Sequence, residues 1–112
     1  MKKIFAIPTL NGQICAHFGH CENFALVETE DGKVTGEKRI TPPDHQPGVY
    51  PQFLATLGVH VIIAGGIGQR AQQLFASHAI QVCTGVSGAA PVELVEQYLS
   101  GRLQTGGNLC DH

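Results

Sequence analysis

The sequence predicts an α/β fold: a five-stranded mixed sheet in which an antiparallel meander feeds parallel β-α-β units, with helices packed on it. Three observations carry this prediction. Residues 2–40 hold three strand-like runs separated by turn signals, with no helical periodicity between them. The run Val59–Ala64 (VHVIIA) is almost wholly apolar, as suits a strand buried on both faces of a parallel sheet. Beyond it, amphipathic segments of helical spacing alternate with short apolar strands.

The elements follow in order. Lys2–Thr9 is rich in β-branched and aromatic residues and ends at the turn signal Leu10-Asn11-Gly12. Asn23–Thr29 is a second strand, and Glu30-Asp31-Gly32-Lys33 turns the chain back into Lys33–Ile40. That return strand is polar and alternates weakly, which places it at a sheet edge. Thr41–Val49 carries three prolines and a glycine and is a loop. Tyr50–Leu57 is a short helix with Pro51 in its first turn, an apolar stripe of Phe53, Leu54 and Leu57, and Gly58 as its stop.

After the buried strand, Gly65-Gly66-Ile67-Gly68 opens the helix Gln69–Ser77, with Ala71, Leu74 and Phe75 inward. Ile80–Cys83 is a short strand and Gly85–Ala90 a loop. Pro91–Leu99 is a helix with Val92, Val95 and Leu99 on one stripe, stopped by Gly101. Arg102–His112 is a polar tail. Right-handed crossovers turn this order into one mixed sheet.

A chain of 112 residues and 11.9 kDa fits a single domain, 1–112, with 102–112 as its tail. Charged residues make up only 14%, and the net charge is −2. That balance excludes a non-specific nucleic-acid binder, which needs a basic stripe against phosphates. The apolar run after Lys2-Lys3 reaches Pro8 too soon for a signal peptide, whose apolar region needs about 7–15 residues. Nor is any stretch long enough to cross a bilayer, which takes about 18 apolar residues, so a cytoplasmic location is expected. Thiols there stay reduced, and Cys15, Cys21, Cys83 and Cys110 read as thiols or metal ligands rather than as two disulfides.

Six His and four Cys stand out against so few charges. Their densest grouping is Cys15-Ala16-His17-Phe18-Gly19-His20-Cys21, four soft donors in one short loop. In an extended stretch Cys15 and His17 share a face, and Gly19 permits a turn that returns His20 or Cys21 towards them. Thiolate and imidazole suit zinc, copper and iron–sulfur species rather than hard cations. The spacing fits no standard zinc finger. The competing interpretation packs Cys21 and Phe18 into the core and leaves the histidines solvated.

Cys110-Asp111-His112 offers a second soft pair, set against a frayed terminus as the alternative. His45 in the Pro-rich loop is a ligand or simply an exposed loop residue. His60 reads as a satisfied core imidazole, His78 as a cation near a helix C-terminus, and Cys83 as core packing. The glycines at 65, 66 and 68 lead into a helix whose N–H groups suit an anion, and Arg70 in its first turn opposes the helix dipole. The alternative is a tight turn needing glycine for positive φ or close packing. A two-metal nuclease needs several inward carboxylates, and the strands lack them, so binding is favoured over catalysis.

Taken together, IFAIPTLNG, His17-Phe18-Gly19 followed by Phe24, His45-Gln46-Pro47-Gly48, Gly65-Gly66-Ile67-Gly68-Gln69-Arg70-Ala71, Gly85-Val86 through Tyr98-Leu99-Ser100-Gly101 and Cys110-Asp111-His112 form an ordered series. In these motifs the chain resembles the dinitrogenase iron–molybdenum cofactor biosynthesis family, which includes NifX-like proteins and the C-terminal domain of many NifB proteins. The resemblance covers almost the whole chain. It implies an RNase H-like fold and a non-enzymatic role, in nitrogen fixation or in another pathway, binding or carrying an iron–sulfur or iron–molybdenum cluster or its precursor.

On that expectation His17, His20 and Cys21 supply the first donors, with Cys15, His45, Cys110 and His112 completing the shell. The backbone of Gly65, Gly66 and Gly68, with Arg70, offsets the cluster's negative charge. The partners expected are cluster donor and acceptor proteins and a second copy of the chain, with no nucleic acid and no membrane. A single-zinc domain and an anion-binding or interaction module with incidental thiols are the alternatives.

Overall fold

A computed structural model describes residues 2–15, 21–41, 49–86 and 90–103, with only the backbone of Val49. The elements are β1 (Lys2–Leu10), β2 (Gln13–Ile14), β3 (Asn23–Glu30), β4 (Lys33–Ile40), α1 (Val49–Thr56), β5 (Val61–Ile63), α2 (Gln69–Ser77), β6 (Gln81–Cys83) and α3 (Pro91–Leu99). They form one mixed sheet in the order β4-β3-β1-β5-β6, with β2 paired to β1. β3 runs antiparallel to both β1 and β4, whereas β5 is parallel to β1 and β6 parallel to β5.

The sheet therefore has six strands, not the five expected. The additional one is β2, created by the Asn11-Gly12 turn, where φ is 56° and 81°. Positive φ at both central residues is the hairpin turn whose twist matches that of the flanking strands. It folds the chain straight back, pairing Thr9 with Ile14 and Leu10 with Gln13. Asp31 and Gly32, at φ 52° and 80°, make the same turn between β3 and β4.

Helices cover both faces. Ala6, Phe24, Leu26 and Ile62 pack with Tyr50 and Leu54 of α1 and Phe75 of α2. On the other face Phe5, Ile7, Val27 and Ile63 pack with Leu94 and Val95 of α3. Edge-to-face ring pairs pin a helix to the sheet on each side: Phe24 with Tyr50 at 5.4 Å and Phe5 with Tyr98 at 5.1 Å.

Three expectations need correction. Leu57 is not part of the α1 stripe: it lies beyond the helix end, 37% exposed, in the turn closed by Gly58, and Tyr50 takes its place inside. The α3 stripe is centred on Leu94 and Val95, with Val92 and Leu99 only half-buried, because that arc of the helix faces the sheet. His60 is exposed rather than a core imidazole, since it stands one residue before β5 at the sheet's lower end. β5 and β6 are also shorter than the apolar runs that announced them.

Candidate functional site

The strand directions bring the C-terminal ends of β1, β4, β5 and β6 to one edge of the sheet. From β1 the chain leaves towards β3, and from β5 it leaves the opposite way towards β6. In an α/β sheet such a switch in direction is the usual place for a ligand. Here one loop carries Cys15 and Cys21 and the other carries Gly65–Gly68.

Both cysteines hang from the last residues of β1. The β1–β5 pairing ends at Ala6 and Ile62, and β2 takes over that same edge of β1 farther along. Cys15 extends β2, its N–H donating to the Pro8 carbonyl at 2.8 Å, and it is 4% exposed. On the opposite edge of β1 the N–H of Glu22 donates to the Thr9 carbonyl at 2.8 Å, which sets Cys21 just before β3. Residues opposite one another in a ladder share a face. Pro8 pairs with Phe24, so Cys15 stands on the face covered by α1 and α2, and Cys21 packs half-buried against that same core.

Burial pushes the Cys21 thiol up to about 11, and the neighbouring Cys15 pushes in the same direction. Burial also raises the Cys83 thiol. A thiol that burial keeps protonated, as at Cys21, gives up its proton more readily when a soft cation binds it.

The second loop is tied to β6 rather than left open. Gly65 accepts a hydrogen bond from the N–H of Gly85 at 2.8 Å, and the Val86 N–H donates to the Ala64 carbonyl. Gly68 is the N-cap of α2, with φ −60° and ψ 151° and no side-chain cap. A Cβ there would meet nothing within 4 Å, so neither positive φ nor the described packing demands glycine at this position. Arg70 lies exposed in the first turn, where it lines a surface hollow with Gln69, Gln73 and Leu74.

Of the donors expected from sequence, Cys15 and Cys21 reach the same edge of the sheet. His17, His20, His45, Cys110 and His112 lie outside the described residues. Among the described residues no three His, Cys, Asp or Glu side chains converge on a metal position. Cys83 is buried as expected, and it lines a hollow of about 460 Å³ with Gln81, Thr84, Tyr98 and Leu103 beside β6. Sequence reasoning missed Thr9, Glu22 and Asn23, which hold the cysteine segments. Only the Asn-Gly pair hinted that the chain returns to β1 there. No described helix is long and apolar enough to cross a membrane.

Fold and site thus define a small α/β domain that presents paired thiols at the carboxyl edge of its sheet. The chain belongs to the dinitrogenase iron–molybdenum cofactor family, whose model matches residues 1–101. That family is involved in iron–molybdenum cofactor biosynthesis. The uncharacterised protein MJ0580 of Methanocaldococcus jannaschii is 31% identical over 104 residues, covering 88% of this chain and 87% of that relative. The crystal structure of PH0822 superposes with a TM-score of 0.84 at 28% identity, over 91% of this chain and 93% of that one. The apo form of the orange protein from Desulfovibrio gigas shares the fold, with a TM-score of 0.76 at 22% identity over 95% and 94% of the two chains.

Proposed function

We propose that this chain binds and carries, as cargo, a metal cluster of iron–sulfur or iron–molybdenum type or its precursor, without catalysing a reaction. The observation that carries the reading is the pair Cys15 and Cys21, hung from the two edges of β1 at the carboxyl end of the sheet. Soft thiolates are suitable ligands for such clusters, and family membership points the same way.

In this reading His17 and His20, which the chain places between the two thiols, join Cys21 and Cys15 as donors. His45 follows β4 in the sequence, and Cys110 and His112 complete the set. The backbone of Gly65, Gly66 and Gly68, with Arg70, offsets the anionic charge of the cargo. The domain is a single RNase H-like unit working in the cytoplasm, and its meander followed by parallel units supports that fold reading. Donor and acceptor proteins load and unload it, and a second copy shares the cluster.

Anaerobic reconstitution with ferrous iron and sulfide tests the reading. The wild type is expected to develop visible sulfur-to-iron absorption, and Cys15→Ser with Cys21→Ser to abolish it. A colourless wild type, or a double variant that loads equally, overturns it.

A further inference from the structure

We propose that Thr9 is the positioning residue of this site: it holds the segment bearing Cys21 in a fixed relation to Cys15. The inference rests on the cluster-binding reading and names what preorganises it. Thr9 is a buried polar residue, 0% exposed, at the end of the middle strand of the five-strand path. Its backbone carbonyl accepts the Glu22 N–H at 2.8 Å. The hydroxyl reaches the backbone carbonyl of Asn23 at 3.0 Å and also meets the side-chain carbonyl of Asn23. A further tie crosses the same gap, where the Asn11 N–H donates to Oε1 of Glu22 at 3.3 Å.

These contacts make one buckle. Cys15 is fastened to Pro8, and the two residues after Cys21 are fastened to Thr9, the next residue along the same strand. Thr9→Val deletes the hydroxyl of the buckle while nearly keeping the shape of the side chain, so its effect reports the lost hydrogen bonds. Partners that orient ligands through hydrogen bonds typically account for about 10–100-fold in metal affinity. Thr9 acts on the thiols through Glu22 and Asn23.

The test compares wild type with Thr9→Val, Thr9→Ser and, as a milder break of the same contact, Asn23→Ala. Two readouts are taken. The first is the half-life of the reconstituted iron–sulfide chromophore against a ferrous chelator. It is expected to fall at least several-fold in Thr9→Val, less in Asn23→Ala, and to recover in Thr9→Ser.

The second readout is peptide-resolved alkylation of the apo protein by iodoacetamide. Cys21 is expected to react several-fold faster in Thr9→Val while Cys83 is unchanged, since Cys83 lies on β6, separated from β1 by β5. Equal acceleration at Cys83 would mean general loosening and would overturn the positioning role. A wild type without chromophore overturns the cluster reading, and the inference falls with it. A wild type that loads, with Thr9→Val retaining the chromophore as long, overturns the inference alone.

Discussion

The backbone N–H of Ile4 donates to Nδ1 of His60 at 3.1 Å, while the N–H of His60 returns a bond to the Ile4 carbonyl at 2.9 Å. The imidazole thus stands in for a strand residue and extends the parallel β1–β5 ladder past its last backbone pair. His60→Ala removes the acceptor and leaves Ile4 to water, so a loss of about 0.5–1.5 kcal/mol is expected in chemical denaturation. Amide hydrogen exchange at Ile4 should accelerate in the same variant. Unchanged exchange would show that the ring contributes nothing there.

The α1 stripe gives a contrast within one helix and its exit. Leu54 is fully buried, whereas Leu57 is 37% exposed. Leu54→Ala should cost about 2–5 kcal/mol through lost burial and the void it leaves. Leu57→Ala should stay within about 1 kcal/mol, as expected of a surface position. Denaturation midpoints of the two variants check the ranking directly.

The thiol at Cys21, raised from 9.0 to about 11, makes stability depend on alkaline pH. Between those values the unfolded chain gives up its proton first and so binds fewer protons than the native state. Stability is therefore complete below pH 9 and declines as pH rises towards 11. Cys83 is shifted in the same direction and adds to the trend. Cys21→Ser should flatten the decline, measured as denaturation midpoints across that range, and an unaltered slope would contradict the assignment.

Gly68 separates folding from binding. With φ −60°, an extended ψ and open space at its Cβ, it accepts a serine without strain. Serine is the better N-cap, so Gly68→Ser should leave stability equal or raise it by a few tenths of a kcal/mol. If the loop backbone approaches the cargo, the same variant should shorten chromophore lifetime against a chelator. Greater stability with shorter retention is the expected pairing.

Long periodic segments were readable from residue types alone: Lys33–Ile40, Gln69–Ser77 and Pro91–Leu99 appear with the expected ends. β2 was not, because two residues show no period and become a strand only through the edge of β1 that β5 leaves vacant. His60 misled for a related reason: apolar neighbours announce a buried strand, yet burial begins only at Val59 and resumes at Val61, with His60 turned outward between them. At the site, spacing singled out the run of four donors Cys15, His17, His20 and Cys21, of which the two cysteines are among the described residues. Their anchors were invisible, since which carbonyl a loop N–H meets depends on register between distant strands.

The place of β1 in the sheet has a consequence for how the molecule breathes. β4 and β6 are the outermost strands of the path, and edge elements open most readily in local unfolding. Cys15 and Cys21 are tethered to neither. Their attachments lie on β1, the middle strand of that path. If the domain carries a cluster as proposed, its outer strands are free to meet partners while both thiol anchors stay on β1.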